Sequence, residues 1–174
     1  LAVLLDFHQL TREDAMRQGI AIAILLVASP CLGATRYVSP AGNNTAPYDS
    51  WVNSSTGITA AIATSSDGDT ILCSNGTYRI SLSTVRTNLT IISVNGPSVT
   101  TIDQTGQAAV EFYKPQSFSG FTICNSTGSY GAMLFASPTF VSNCIITKIK
   151  NIRYGCGALT FGGAATSQVD NCIF

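Results

Sequence analysis

Residues 108–124 recur 23 positions later, at 131–147, and a looser third copy follows at 157–174. The aligned positions are apolar in every copy. They are Val110, Phe112, Phe118, Phe121 and Ile123 in the first, Met133, Phe135, Val141, Cys144 and Ile146 in the second, and Leu159, Phe161, Val169, Cys172 and Phe174 in the third. Each copy therefore contains short apolar stretches at matching places.

The spacing between copies shows where residues can be inserted. Val110 and Met133 are 23 positions apart, whereas Met133 and Leu159 are 26 apart, and Ile146 and Phe174 are 28 apart. A repeat that accepts insertions only between its apolar strands is typical of a solenoid, whose units bury their apolar faces against their neighbours.

Alternation within a copy predicts which side chains point inward. Val110 and Phe112 flank Glu111, which is the pattern of a strand with one buried face. The chain must bend between the aligned positions of Phe118 and Phe121, which are three residues apart. The structural turn positions at this bend are Gly120, Asn143 and Asn171, and Gly and Asn adopt the left-handed conformation most readily.

Turns of 23 to 28 residues with equivalent residues stacked predict an all-β fold, a parallel β-helix with rungs about 4.8 Å apart. In this fold Phe112, Phe135 and Phe161 form an aromatic stack, and Cys144 lies under Cys172. An antiparallel sandwich would not explain a fixed offset with insertions confined to turns. The low charged content of 10% agrees with a stack of short strands.

The N-terminal third is predicted to contain an export signal and a cap. Residues 16–34 have a charged start, an apolar run at 20–28 and small residues before Ala34, which indicates a signal peptide cleaved after Gly33 or Ala34. The alternative is a buried N-terminal helix. The apolar run is too short to span a bilayer, so no transmembrane segment is expected in the mature fragment. Residues 1–15 are interpreted as translated sequence upstream of the signal.

Residues 35–68 form the expected cap region. A short strand at 36–38 precedes a helix whose Ile58, Ala61 and Ile62 share one face, and this helix would cover the open end of the solenoid. Residues 69–174 form the coils, with Asn75-Gly76 and Asn95-Gly96 as turn signals. The third copy is expected to break off within its last strand, so the chain is interpreted as an N-terminal fragment.

Composition excludes several functions. A net charge of zero argues against nucleic acid as a partner. The one histidine, His8, lies upstream of the mature fragment, so neither a Ser-His-Asp site nor a histidine-ligated zinc site can be built. Five cysteines remain after the leader, without a C-x-x-C pair, which argues against a disulfide framework or a metal cluster.

Three basic residues form the candidate substrate-binding site. Lys148 and Lys150 would project the same way if their strand continues, and Arg153 could add a bidentate contact to a carboxylate-bearing sugar chain. The alternative is a solvated turn whose charges prevent association.

Two further features have a structural and a functional interpretation. Trp51 and Tyr48 are either a platform on which a sugar stacks or aromatic anchors over the first coil. Asp67 and Asp69 could touch calcium, but two ligands fall short of the six to eight oxygens that it takes, which favours a role in a turn.

Several segments resemble secreted right-handed parallel β-helix proteins of the pectin-lyase-like superfamily. They are Tyr37-Val38-Ser39-Pro40-Ala41-Gly42, Ile58-Thr59-Ala60-Ala61-Ile62, Gly68-Asp69-Thr70-Ile71-Leu72, Asn75-Gly76-Thr77-Tyr78 and Phe118-Ser119-Gly120-Phe121-Thr122-Ile123-Cys124-Asn125. The resemblance implies a right-handed β-helix but transfers no catalytic residue. The lysine or arginine base and the calcium ligands of such lyases would come from coils beyond residue 174.

These observations predict a secreted or cell-surface scaffold that binds carbohydrate or serves adhesion, with cell-surface glycans as partners and no cofactor in this fragment. The alternative is a polysaccharide lyase or glycoside hydrolase whose catalytic coils lie beyond residue 174. A third hypothesis is the passenger of an autotransporter-like protein.

Overall fold

The computed structural model describes residues 33–80, 84–107, 110–127, 131–150, 158–162 and 166–174. The expected upstream segment, 1–15, and residues 16–32 of the expected signal lie outside this part of the chain. One helix is described, α1 (Ile58–Ala63). The strands are β1 (Thr35–Val38), β2 (Thr70–Cys73), β3 (Gly76–Tyr78), β4 (Thr84–Val85), β5 (Leu89–Ser93), β6 (Thr100–Asp103), β7 (Val110–Phe112), β8 (Gln116–Ser119), β9 (Thr122–Cys124), β10 (Met133–Phe135), β11 (Thr139–Ser142), β12 (Ile145–Thr147), β13 (Leu159–Phe161) and β14 (Gln168–Asp170).

The strands form three sheets in which all neighbours are parallel. Sheet 1 has the order β1-β2-β5-β8-β11-β14, sheet 2 the order β3-β6-β9-β12, and sheet 3 the order β4-β7-β10-β13. The chain visits the three sheets in turn and then starts the next coil. The predicted parallel β-solenoid is therefore confirmed.

The register of sheet 1 gives the length of each coil. Thr70 lies opposite Thr90, Leu89 opposite Gln116, Gln116 opposite Thr139, and Phe140 opposite Gln168. Successive steps along the solenoid therefore take 20, 27, 23 and 28 residues. The strands stay aligned because the additional residues lie between the strands in the sequence.

The apolar repeat corresponds to the strand register. Phe135 lies opposite Phe112 on one side and Phe161 on the other. The ring centroids are 5.1 Å apart in the first pair and 5.5 Å apart in the second, and both pairs are stacked. Both centroid distances lie within the range that aromatic pairs prefer, so the predicted aromatic stack is present.

The three turn positions have left-handed backbone. The φ angles are 83° at Gly120, 49° at Asn143 and 48° at Asn171. Each follows a strand of sheet 1 and redirects the chain toward sheet 2. A Cβ added at Gly120 would lie 3.2 Å from the Cβ of Ser93 in the preceding coil, so this corner is also closely packed.

The core runs along the solenoid as columns of inward side chains. One column on sheet 2 contains Tyr78, Ile102, Ile123 and Ile146, each at most 3% exposed. Because parallel strands place equivalent side chains above one another, each column is continuous across coils.

The helix α1 covers the first end of the core. Ile58 and Ala61 are fully buried and Ile62 is 4% exposed, and the helix packs against β1 and β2. A six-residue helix has little stability of its own, so this packing maintains it. The expected cap helix is thus present.

The turn signal at Asn75-Gly76 has a different role from that in a hairpin. It joins β2 of sheet 1 to β3 of sheet 2, and these strands do not pair with each other. A parallel solenoid uses such turns as corners between sheets, whereas a hairpin uses them to reverse direction.

Candidate functional site

The predicted basic cluster lies just after β12. This strand ends at Thr147, and Lys148 has a left-handed φ of 54°. Lys148 and Lys150 are both exposed, and the backbone N–H of Lys150 donates to the Ser126 carbonyl at 2.8 Å. Strand alternation therefore does not apply to the two lysines. Arg153 lies outside the described residues, so the three-residue cluster stays a prediction.

A shallow depression lies beside the turns that follow β2 and β5. It has a volume of about 430 Å³. Its lining residues are Trp51, Ser74, Asn75, Val94 and Asn95. Trp51 is 41% exposed and Val94 is 47% exposed, so the depression opens to solvent. We call it the Trp51 depression.

Two stacked asparagines form the polar part of the Trp51 depression. The amide N–H of Asn95 donates to the side-chain oxygen of Asn75 at 2.7 Å. The pair arises because Cys73 lies opposite Ser93 in sheet 1, which places the next two residues of both coils above one another. Each amide uses one of its two groups in this bond and can offer the other to a ligand.

Ser74 is anchored to the interior of the first coil. Its hydroxyl lies 3.1 Å from the hydroxyl of Tyr78, which also donates to the Ser74 carbonyl at 2.9 Å. Burial raises the pKa of Tyr78, while its hydrogen bond with Ser74 acts in the opposite direction. The Tyr78 phenol is therefore neutral and acts as a fixed support for the turn that carries Asn75.

The two aromatic residues considered as a sugar platform have different positions. Tyr48 is 7% exposed and belongs to the core, and its carbonyl accepts the N–H of Tyr37 at 2.8 Å. The rings of Trp51 and Tyr37 make a T-shaped contact, with centroids 4.7 Å apart and an interplanar angle of 67°. Tyr48 thus anchors the cap region, whereas Trp51 contacts Tyr37 and is partly exposed to solvent.

Sequence reasoning did not identify Ser74, Asn75, Val94 and Asn95 as part of a site. One signal was available, since both turns carry Asn-Gly after a strand of sheet 1. Aligning the two Asn-Gly pairs, 20 positions apart at Asn75 and Asn95, would have placed one amide above the other.

The carboxylates Asp67 and Asp69 are engaged by protein groups. Asp67 accepts the N–H of Asn88 at 2.8 Å and lies 3.3 Å from the Lys114 ammonium. These contacts, the backbone N–H first, lower the pKa of Asp67. Asp69 accepts the N–H groups of Ala34 and Ser66 at 2.7 and 2.9 Å. Both carboxylates therefore accept hydrogen bonds from backbone N–H groups of the protein, which agrees with the turn interpretation.

Three of the described thiols, those of Cys73, Cys124 and Cys144, are poor nucleophiles. Burial raises the pKa of Cys144 to about 11 and raises that of Cys73 further. Burial followed by the Asp103 charge raises the pKa of Cys124, and Lys148 acts in the opposite direction. These thiols are protonated at neutral pH and behave as small apolar side chains.

Within the described ranges, no group of three or more histidine, cysteine, aspartate or glutamate side chains is arranged to hold a metal ion. No helix in the same ranges has the length and apolar character that crossing a membrane requires. Comparison of the chain with protein-family models, with curated proteins and with solved structures finds no match.

Proposed function

We propose that this chain is part of an exported or cell-surface β-helix scaffold that binds carbohydrate at the Trp51 depression. The observation that carries the proposal is a solvent-exposed indole fixed beside two stacked side-chain amides. The rigid coils hold these groups at a constant separation, so that a ligand need not order them on binding.

The chemistry of a sugar ring matches this arrangement. A pyranose has an apolar face of C–H groups and a rim of hydroxyls. The apolar face can pack on the flat indole of Trp51, while the rim hydroxyls can pair with the Asn75 and Asn95 amides, which carry both donors and acceptors. A site with an apolar wall and a few fixed polar groups is the usual form of a small-ligand site.

The absence of charge among the five lining residues favours a neutral sugar. An acidic polysaccharide would require cations near its carboxylates. The predicted cluster of Lys148, Lys150 and Arg153 could supply them elsewhere on the solenoid. Neutral and acidic glycans are therefore expected to bind at different places.

Export is supported by the sequence pattern of residues 16–34 and by the resemblance to secreted β-helix proteins. The high content of strand and turn residues and the low charge are compatible with an extracellular scaffold. The alternative of a lyase or hydrolase stays a prediction, because its catalytic coils would lie beyond residue 174.

A glycan array probed with the full chain tests the proposal. Neutral oligosaccharides are expected to bind, and Trp51→Ala should weaken binding at least about tenfold, which corresponds to losing about 1.4 kcal/mol. Phe140→Ala is the matched control, because Phe140 is a 39%-exposed aromatic residue on the outer face of sheet 1. Circular dichroism establishes that both variants keep the fold.

Two results would count against this function. One is the absence of binding to any glycan on the array. The other is equal binding by the wild-type chain and Trp51→Ala, which would remove the Trp51 depression as the site. Binding of acidic glycans that is lost only in Lys148→Ala and Lys150→Ala would place the site at the basic turn.

A further inference from the structure

A buried carboxylate lies directly beside the first described residues of the solenoid. Asp69 is 3% exposed. Its Oδ1 accepts the backbone N–H of Ala34 at 2.7 Å, and its Oδ2 accepts the N–H of Ser66 at 2.9 Å. Burying a carboxylate is costly unless a cation and hydrogen bonds accompany it.

Arg36 supplies only part of the positive charge that the buried Asp69 carboxylate requires. The Nε and Nη2 atoms of Arg36 both lie 3.5 Å from Oδ2 of Asp69. Nη1 of Arg36 instead donates to the Pro47 carbonyl at 2.8 Å. The shortest contact to the carboxylate is therefore made by the nitrogen of Ala34, which is uncharged while Ala34 remains in a peptide bond.

Ala34 is held at its nitrogen and at its carbonyl oxygen. The carbonyl accepts the N–H of Thr70 at 2.9 Å, so Ala34 extends the pairing of β1 with β2. Gly33 is exposed, and a Cβ at this position would overlap the Gly68 carbonyl. The two hydrogen bonds of Ala34 therefore hold its backbone against Asp69 and β2.

We propose that the chain is hydrolysed between Gly33 and Ala34 and that the new α-ammonium group of Ala34 forms an ion pair with Asp69. Water adds across the C–N bond, giving the carboxylate of Gly33 and the ammonium of Ala34. The reaction requires a protease of the signal-peptidase class. The inference rests on the export part of the proposed function.

The sequence around the bond favours cleavage after Gly33 over cleavage after Ala34, which was the other expected point. Cleavage after Gly33 places small residues, Gly33 and Cys31, at the first and third positions before the bond. Cleavage after Ala34 would place Leu32 at the third position. It would also remove both hydrogen bonds of Ala34.

The ion pair would replace the neutral peptide N–H of Ala34 with a positively charged ammonium group. An ammonium group has three N–H donors where the peptide has one, and its full positive charge is added to a hydrogen bond that the carboxylate already makes charge-assisted. Ala34 is exposed, so water can solvate the donors that do not reach Asp69. Cleavage would therefore stabilise the pairing of β1 with the start of β2.

The first test is the N-terminus of the exported protein. The full chain, preceded by an initiator methionine, is expressed in one bacterial and one eukaryotic secretory host, and the product is analysed by intact mass and N-terminal sequencing. The expected first residue in at least one host is Ala34. A first residue at Thr35 or elsewhere overturns the inference alone, whereas retention of the leader in both hosts overturns export as well.

The second test measures the reactivity of the α-amine in the processed protein. An ammonium held by a carboxylate loses its proton less readily, so acylation at pH 8 is expected to be at least about tenfold slower in the native protein than in urea. Equal rates would overturn the ion pair. Because this comparison uses the wild-type protein, it does not depend on a variant that folds.

Substitution then assigns the effect to one carboxylate. Asp69→Asn should restore the acylation rate to that seen in urea. Asp67→Asn is the matched control, since Asp67 is an exposed carboxylate two residues away that contacts Asn88 and Lys114. Slow acylation in folded Asp69→Asn, or fast acylation in Asp67→Asn, would contradict the assignment.

Discussion

At the scale of single residues, the backbone of the corners depends on which residue types tolerate positive φ. Gly120, Asn143 and Asn171 occupy the same place in three successive coils, and all three are left-handed. The exchange of Gly for Asn in the repeat is visible in the sequence because few residue types adopt this conformation at low cost. The close approach of Gly120 to Ser93 is visible only in the structure.

Substitution at these corners should depend on conformation rather than on side-chain size. Gly120→Ala should lower the free energy of unfolding by about 1–2 kcal/mol, because alanine is strained at a φ of 83° and its Cβ would approach Ser93. Asn143→Gly is the matched variant and should change it by less than about 1 kcal/mol, because glycine accepts the φ of 49°. Urea denaturation followed by circular dichroism measures both. Equal losses would show that conformation does not govern these positions.

At the scale of elements, the repeat determines which strands pair and in which register. The 23-residue offset between the first two copies is the register of β7 with β10 and of β8 with β11. The earlier coils could be recognised from the turn signals at Asn75-Gly76 and Asn95-Gly96, but the alignment of their strands could not be predicted. The steps of 20 and 27 residues reflect unequal turns, and a turn length does not reveal which residues of two strands hydrogen-bond.

The aromatic stack provides a test at this scale. Phe135 is fully buried between two other rings, whereas Phe161 is 38% exposed. Phe135→Ala should therefore lower the free energy of unfolding by about 3–5 kcal/mol, and Phe161→Ala by about 1 kcal/mol. Urea denaturation gives both values. A loss of similar size in the two variants would mean that the stack does not gain stability from being enclosed on both sides.

At the scale of the whole solenoid, the two described ends differ. The first end is covered by α1, whose inner face is buried. At the other end, β11 is the one described strand that pairs with β14, and all three residues of β14 are exposed. Because each coil contacts only its neighbours, stability is expected to vary along the axis.

Hydrogen exchange followed by mass spectrometry should detect this gradient. Amides of β5, which pairs with β2 and β8, should exchange at least about a hundredfold more slowly than amides of β14. The reason is that β14 can open without disturbing a second neighbour, whereas β5 cannot. Uniform protection along the chain would indicate a single cooperative unit and would contradict the gradient.

The sequence by itself determined the solenoid, the inward face of its repeated strands, the corner residues and the cap helix. These features arise from local alternation, from backbone preferences and from a repeat whose period is visible in the chain. The tertiary structure alone decided that the Asn75–Asn95 pair lies beside an exposed Trp51, that Tyr48 is buried, and that Asp69 contacts Ala34. These contacts join residues that are distant in sequence, and they depend on how turns of unequal length bring the coils into register.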